Sequence, residues 1–310
     1  MKQDGLPDRW LVLEVPRPRD PASAEILVEA LLGLGVRGVE EQEEHLVIYL
    51  PGFGEDDEVA KVADLTNRLR TTLPTDHPSQ GSLSTLEYRW QPHEEWKDRW
   101  REGLAPRVVS ERILVSPSWA ETDPGRDQVL ITIDPGMAFG TAEHPTTRGC
   151  LRLLDRRIQP GQRIADIGAG SGILSIAALR LEAAQVLAVE MDPWACEVAR
   201  ENAELNDVSD RLEILPLAVG PGFLPGMPIF DGIVSNIESG ILTPLLPGFR
   251  KGLGDEGWLI LSGILASEAP SVILAARETG FELQEVDEEE DWWSGAFTVS
   301  PGAAGPDVPR

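Results

Sequence analysis

Apolar and polar positions alternate differently in the two parts of the chain. Over residues 1–90, stretches with the period of two that is typical of strands are separated by stretches with the 3.6-residue period of helices. The predicted elements are strand 10–15, helix 22–34, strands 38–41 and 46–50, helix 59–73 and strand 83–90. This βαββαβ order predicts a small ferredoxin-like α+β domain. Its pattern offers no nucleophile, metal cluster or phosphate loop, so we predict that this domain recognises a substrate.

A charged segment with two tryptophans follows. Residues 93–100 place charged side chains around Trp96 and Trp100. These tryptophans are four positions apart, so on a helix they lie on the same face. We predict a linker helix over 91–105 that docks this face on a neighbouring domain. A stripe that binds a partner directly is the alternative.

From about residue 106 onwards, strands and helices alternate regularly. The predicted strands are 113–115, 129–133, 163–167, 185–190, 212–215, 231–235, 257–262, 281–286 and 295–300, and the predicted helices are 145–156, 172–181, 193–206, 239–250 and 267–279. Regular alternation predicts a mostly parallel sheet with helices on both faces. An acidic loop separates the last two strands, so we expect an antiparallel pair there. Residues 301–310 are predicted to form a flexible tail.

Composition narrows the class of protein. The two cysteines, Cys150 and Cys196, rule out a disulfide framework and are typical of a reducing compartment. The N-terminus has no apolar stretch of the kind found in a secretory signal. Arg180 and Glu182 interrupt the most apolar stretch, 173–189, which is therefore too charged for a membrane span. We expect a cytoplasmic protein that does not contact a membrane.

The net charge is strongly negative, with 27 Lys and Arg side chains against 52 Asp and Glu, a formal charge of −25. Proteins that bind nucleic acids usually carry a basic patch that displaces counterions from phosphates. We therefore expect no direct nucleic acid binding. An acidic surface attracts basic proteins instead, although the charge could equally serve solubility alone.

A glycine-rich loop ends the strand predicted at 163–167. Glycines at 168, 170 and 172 are followed at once by a helix. In open parallel sheets, ligands bind beyond the carboxyl ends of the strands, where the strand order reverses. Glycines let the backbone turn and approach a ligand, and the N–H groups at the helix start face it. The spacing is G-x-G-x-G, which differs from the G-x-G-x-x-G of dinucleotide-binding proteins.

Two acidic residues favour a different cofactor. Asp166 precedes the first glycine of the loop and would repel a pyrophosphate, but it suits the ammonium of a methionine moiety, directly or through water. A loop-capping role is its alternative. Glu190 ends the next strand, where a carboxylate can accept hydrogen bonds from both ribose hydroxyls of an adenosine. Together they predict S-adenosylmethionine as the cofactor.

Several segments resemble a known family. Residues 163–190 resemble the first two motifs of class I S-adenosylmethionine-dependent methyltransferases. Residues 134–147 (Asp-Pro-Gly-Met-Ala-Phe-Gly-Thr-Ala-Glu-His-Pro-Thr-Thr) resemble a segment of the PrmA family, whose enzymes methylate the eleventh protein of the large ribosomal subunit. Segments 96–100, 116–119, 235–237 and 261–265 follow in the family's order. The resemblance implies a seven-stranded class I methyltransferase (Rossmann-like) domain over 106–300, preceded by a substrate-recognition domain over 1–90.

The resemblance also implies roles for individual residues. Thr147, Gly168, Glu190 and Asn236 match positions where the family contacts the cofactor, and with Asp166 and Gly170 of the loop region they form the predicted cofactor-binding set. Phe139 and Thr141 match the loop that closes over the cofactor near its sulfonium, where an aromatic ring stabilises positive charge. With Asn236, they form the predicted catalytic set. His144 is expected to hydrogen-bond at a helix start, with a catalytic role as the alternative.

The sequence departs from the family pattern at three positions in these segments. Ala142 stands where the family usually has a glycine, and Glu143 is an unusual neighbour. Both changes bear on the flexibility of the cofactor loop. Glu190 stands where aspartate is more usual, which keeps the pair of acceptor oxygens on a longer stem.

The resemblance implies in-line methyl transfer to lysine and/or N-terminal amines of the eleventh large-subunit ribosomal protein, a basic partner. Enzymes that methylate planar amides or base amines carry Asn-Pro-Pro-Tyr after the fourth strand, whereas this chain has Asn236-Ile237-Glu238. A nicotinamide oxidoreductase is disfavoured by the glycine spacing. The remaining alternatives are another protein or small-molecule amine as acceptor, or a non-catalytic protein that binds S-adenosylmethionine. We predict no metal site.

Overall fold

The computed structural model describes a chain of two compact units, Met1–Gly103 and Leu104–Arg310. The described residues are 9–34, 36, 38–41, 44–52, 58–75, 77–81, 86–92, 104–134, 140–224 and 227–300. Most of the predicted linker helix at 91–105 and the whole predicted tail at 301–310 lie outside these ranges. The substrate-recognition role of residues 1–90 stays a prediction.

The first unit has a four-stranded antiparallel sheet in the order β2-β3-β1-β4. Its elements are β1 (Arg9–Pro16), α1 (Pro21–Gly33), β2 (Gly38–Glu41), β3 (His45–Gly52), α2 (Glu58–Thr72) and β4 (Glu87–Pro92). Alternate residues of β1, such as Leu11 and Leu13, point to one face of the sheet and pack there with Leu27 of α1 and Leu69 of α2. The predicted ferredoxin-like fold is confirmed.

The second unit has a seven-stranded sheet. Its strands are β8 (Arg163–Ile167), β9 (Gln185–Glu190), β10 (Leu212–Pro216), β11 (Phe230–Asn236), β12 (Leu253–Leu265), β13 (Phe281–Glu289) and β14 (Trp292–Val299). Their order is β10-β9-β8-β11-β12-β14-β13; β14 pairs antiparallel with β12 and β13, and the other pairings are parallel. The predicted parallel sheet and terminal antiparallel pair are confirmed. A small separate sheet holds β5 (Arg107–Val108), β6 (Ile113–Ser116) and β7 (Val129–Thr132).

Helices cover both faces of the large sheet. They are α3 (Pro145–Arg157), α4 (Ile173–Arg180), α5 (Pro193–Leu205), α6 (Ser239–Leu242), α7 (Leu246–Gly252) and α8 (Ala269–Glu278). Successive strand residues enter opposite cores, because side chains alternate across a sheet. Ile164 of β8 packs in one core beside α3 and α4, whereas Ala165 packs in the other beside α7 and α8.

The helix predicted over 239–250 is interrupted. The structure has α6, a 3-10 turn at Thr243–Leu245, and then α7. Pro244 and Pro247 explain the break, because proline has no N–H to donate and crowds the preceding turn of an α-helix. No helix within the described ranges is long and apolar enough to cross a membrane.

The acidic loop predicted before the last strand is wrong for most of its length. Residues 287–289 belong to β13, and the chain turns only at Glu290 and Asp291. Arginines of α3 pair with Asp287 and Glu289, which lets these two acids continue the strand. Arg148 pairs with Glu289 at 2.5 Å, and Arg152 pairs with Asp287 at 2.5 Å. Hydrogen bonds from Arg148, and then from Arg152, lower the pKa of Glu289 to about 2.

Candidate active site

A cavity of about 680 Å³ opens at the carboxyl ends of β8, β9 and β11. The strand order reverses between β8 and β11, which is where open α/β sheets bind their ligands. Five segments form most of its wall: residues 144–147 at the start of α3, the glycine loop, the end of β9, residues 217–219 and residues 236–238. All the described residues of its wall belong to the second unit.

The glycine loop, residues 168–172, forms one wall of the cavity. Gly168, Gly170 and Gly172 have φ angles of 80°, 53° and 80°, in the left-handed region. At Gly168 an added Cβ would lie 2.4 Å from the Ile237 side chain, so only glycine fits there. The N–H groups of Gly168 and Ala169 both donate to the Val189 carbonyl of β9, at 2.8 and 3.2 Å. The loop is thereby fastened to the neighbouring strand.

Glu190 lines the cavity at the end of β9. Its Oε2 accepts a hydrogen bond from the Gly170 N–H and its Oε1 accepts one from the Asp192 N–H, both at 2.9 Å. Two backbone donors therefore fix the carboxylate in place. Each oxygen of an ionised carboxylate can accept a second hydrogen bond, so the predicted contact with two ribose hydroxyls fits this geometry.

Asp166 lies beneath the glycine loop and is fully buried. Its Oδ2 accepts a hydrogen bond from Ser175 Oγ at 2.6 Å, while Oδ1 has no hydrogen-bond partner in the described part of the chain. Burial raises the pKa of Asp166 to about 7, against the opposing effect of Ser175. Asp166 is not part of the cavity wall. The predicted contact of Asp166 with the cofactor, directly or through water, stays a prediction.

Two polar atoms of the wall are buried without a partner. Thr147 Oγ1 on α3 and Asn236 Oδ1 at the end of β11 make no hydrogen bond to any described residue. An unsatisfied buried acceptor costs about 1–3 kcal/mol. Both residues border the cavity, so a ligand with N–H or O–H donors would satisfy them. Together with the glycine wall and Glu190, these atoms fit the methionine and adenosine portions of S-adenosylmethionine.

Segment 140–144 borders the cavity from the side of α3. Gly140 has a φ of 105° and Ala142 a φ of 65°. Ser171 Oγ donates to the Gly140 carbonyl, and Arg148 Nη1 donates to the Ala142 carbonyl at 3.1 Å and to the Glu143 carbonyl. Side chains from outside the segment therefore hold its backbone.

Not every predicted catalytic residue reaches the cavity. Asn236 does, but Thr141 is only half-buried and is absent from the described cavity wall, and Phe139 lies outside the described residues. Thr141 is therefore placed beside the site rather than in it. His144 caps α3 by accepting a hydrogen bond from the Thr146 N–H, which confirms the helix-start prediction.

The structure adds residues that the sequence reasoning missed. Trp292, the first residue of β14, lines the cavity. Its ring packs edge-on against the His144 ring, with 4.7 Å between the ring centroids. Burial, and then the charge of Arg148, lowers the pKa of His144. Glu238, two positions after Asn236, also lines the cavity. No local motif marks Trp292, whereas the neighbourhood of Asn236 could have suggested Glu238.

The strand order, counted along the chain from β8, is 3-2-1-4-5-7-6, with a glycine loop after the first strand and an acid after the second. This fold and this cavity define a class I methyltransferase. A model of the family described as "Ribosomal protein L11 methyltransferase (PrmA)" matches residues 15–298. The chain belongs to this family, and S-adenosylmethionine is its methyl donor.

Individual relatives agree with this. The ribosomal protein L11 methyltransferase of Chloroflexus aurantiacus is 34% identical, with 90% of this chain and 95% of the relative covered. That of Salmonella heidelberg is 37% identical, with 87% and 93% covered. The crystal structure of ribosomal protein L11 methylase from Lactobacillus delbrueckii subsp. bulgaricus matches with a TM-score of 0.58 at 31% identity, covering 63% of this chain and 99% of that one.

Proposed function

We propose that the enzyme transfers methyl groups from S-adenosylmethionine to lysine and/or N-terminal amines of ribosomal protein L11. The observation that carries the proposal is Asn236, a residue of the cavity wall beside the glycine loop, whose buried Oδ1 has no hydrogen-bond partner among the described residues. An amide oxygen in this position accepts a hydrogen bond from an amine. The names of the relatives, which match nearly the whole chain, support L11 as the acceptor.

In this proposal, different residues of the cavity wall contact different parts of the cofactor. Glu190 accepts hydrogen bonds from the ribose, Gly168 and Gly170 let the backbone approach, and Thr147 Oγ1 supplies a further polar contact. Asp166, which accepts a hydrogen bond from Ser175 of α4, is proposed to meet the methionine ammonium directly or through water. When bound, S-adenosylmethionine supplies an electrophilic methyl group on a positively charged sulfur. The family resemblance assigns Phe139 as the aromatic ring near that charge, a contact worth about 0.5–2 kcal/mol.

The protein contributes alignment rather than strong acid–base chemistry. An amine attacks only when neutral, and neutralising a free lysine of pKa about 10.4 at pH 7.4 costs about 4 kcal/mol. Asn236 cannot take up the proton, but its Oδ1 orients the neutral amine, and holding reactants in line lowers the barrier substantially. Thr141 is proposed to support segment 140–144 rather than to touch the amine.

The charge of the chain supports a basic protein as acceptor. A formal charge of −25 attracts a basic partner and repels nucleic acid phosphates. The first unit, a ferredoxin-like fold, is proposed to recognise that partner without direct nucleic acid contact. A ribosomal-protein acceptor also supports the predicted cytoplasmic location, away from membranes.

The test is transfer of a labelled methyl group to purified L11, to other ribosomal proteins and to small amines. We expect labelled lysine or N-terminal residues in L11. We expect Asn236→Ala to lower kcat at least about tenfold, since one oriented hydrogen bond in a water-excluded site is worth more than about 1.4 kcal/mol. Gln284→Ala, an exposed amide on β13, is the matched control. Labelling of another protein in place of L11 would support methyl transfer to an amine but reject L11 as the acceptor.

A further inference from the structure

Among the described residues, two carboxylates line the cavity, those of Glu190 and Glu238, and their surroundings differ. Glu190 accepts hydrogen bonds from two backbone N–H groups. The exposed carboxylate of Glu238 makes no hydrogen bond or ion pair to any residue that the structure describes. Glu190 lies at the end of β9 and Glu238 just beyond the end of β11, so they face the cavity from different strands. The carboxylate of Glu238 is free to meet a ligand.

The backbone that carries Glu238 is tightly held. Ile237 lies against Gly168, and an added Cβ at Gly263 would lie 2.7 Å from the Ile237 carbonyl oxygen. The Glu238 carbonyl accepts hydrogen bonds from the N–H groups of Ile241 and Leu242, at 3.1 and 3.0 Å. The carboxylate is therefore carried on a fixed backbone at the exposed rim, two residues from the buried Asn236 Oδ1.

The cavity wall that contains Glu238 suits an alkylammonium ion. Ile241 and Trp292 line the same cavity, and the wall contains no lysine or arginine among its described residues. A carboxylate attracts the charged head of a lysine, apolar side chains cover its methylene stem, and an aromatic face attracts a methylated ammonium. A single carboxylate beside apolar groups is not suited to a phosphate or another anion.

We propose that Glu238 is the acceptor-binding carboxylate, which pairs with the ammonium of an incoming primary amine at the rim of the cavity. This rests on the proposed function, which it deepens by naming the group that selects a cationic acceptor. Asn236, deeper in the cavity, receives the amine once it is neutral. Glu238 acts through its charge and is not assigned the role of base. The proton leaves to water.

The pairing has two opposite consequences. Attraction to Glu238 strengthens binding of the cationic acceptor, so loss of the carboxylate raises the acceptor KM. The same attraction stabilises the ammonium over the neutral amine and raises the amine pKa. Loss of the carboxylate therefore shifts the pH profile of kcat towards lower pH. A side chain that served only the structure would not move that profile in this direction.

The experiment compares Glu238→Gln with Glu282→Gln, a change of an exposed acid on β13 that is not part of the cavity wall. For Glu238→Gln we expect the KM for L11 to rise about two- to fivefold, the range of a solvent-exposed ion pair. The Kd for S-adenosylmethionine should stay unchanged, and the kcat profile should move to lower pH. Glu282→Gln should match the wild type. An unchanged KM and profile would overturn the proposal, as would a weakened Kd with an unchanged KM.

A second measurement separates this inference from the choice of acceptor. N-acetyl-lysine amide is titrated into enzyme loaded with S-adenosylhomocysteine, and the indole N–H signal of Trp292 is followed by NMR. If the wild type fails to methylate L11 but binds this amine more tightly than Glu238→Gln does, the acceptor assignment fails and Glu238 stands. Equal binding by both proteins rejects the role of Glu238, whatever the acceptor.

Discussion

The glycine loop and segment 140–144 border the same cavity and both contain residues of positive φ, yet they are held differently. The loop depends on its own glycines, on backbone bonds to β9 and on the Glu190 carboxylate, which accepts a hydrogen bond from the Gly170 N–H. The segment depends on the side chains of Ser171 and Arg148, and Arg148 is itself paired with Glu289 of β13. Glycines thus let one wall pack against β9 and Ile237, whereas the other wall relies on side-chain donors from the loop and from α3.

This difference explains why a departure from the family pattern falls in segment 140–144. Ala142 adopts a φ of 65°, a conformation that costs an L-residue about 1–2 kcal/mol. Its methyl group is almost fully buried, and its carbonyl accepts a hydrogen bond from Arg148. Burial and the charged donor offset the strain. In the glycine loop, no side chain offers such compensation at Gly168, where the space itself is filled by Ile237.

The largest effect is expected from Gly168→Ala. The left-handed φ and the 2.4 Å approach to Ile237 each act against a methyl group. Together they cost about 2–5 kcal/mol, which lowers the affinity for S-adenosylmethionine at least about 30-fold. Calorimetric titration measures it. Gly161→Ala is the matched control, because Gly161 has a φ of 86° but nothing within 4 Å of an added Cβ. It should lower stability and leave cofactor affinity intact; equal losses of affinity would contradict the role of Ile237.

The next effect concerns Asp166, below the same loop. Its pKa is raised in the folded state to about 7, so the folded protein holds a proton that the unfolded chain releases above pH 3.8. The free energy of unfolding therefore falls as pH rises from about 4 to 7. Asp166→Asn should remove this slope, with a difference of about 2–3 kcal/mol accumulating between pH 5 and pH 8. Urea unfolding at each pH measures it, and parallel curves for wild type and variant would reject the raised pKa.

Arg148→Met tests how segment 140–144 is held in place. Loss of the guanidinium removes the donor to two carbonyls of the segment and the partner of Glu289. Hydrogen bonds from a charged donor are each worth about 1.5–3 kcal/mol, so we expect a loss of about 2–3 kcal/mol of stability and a raised KM for S-adenosylmethionine. Arg156→Met is the control: Arg156 pairs with Glu285 but bonds to no described residue of the segment. An unchanged KM for S-adenosylmethionine in Arg148→Met would show that segment 140–144 keeps its conformation without Arg148.

The two walls also differ in how far the sequence predicts them. The glycine loop and Glu190 were predictable, because residues adjacent in the chain define them. The pairing of α3 with β13 was not: the acids at 287–289 resemble a loop until Arg148 and Arg152 are brought beside them. Trp292 enters the cavity for the same reason, through the pairing of β14 with β12. Thr141 was expected in the wall and lies beside it.

The smallest effect is expected from Ala142→Gly, which restores the residue usual in the family. Relief of about 1–2 kcal/mol of backbone strain is opposed by loss of about 0.8 kcal/mol of methyl burial and by the greater freedom of glycine in the unfolded chain. The free energy of unfolding should change by less than about 1 kcal/mol, measured by urea denaturation. In the Arg148→Met background, glycine should recover part of the lost cofactor affinity, because it keeps the positive φ without help from Arg148. Simple additivity of the two changes would mean that Arg148 does not compensate for Ala142.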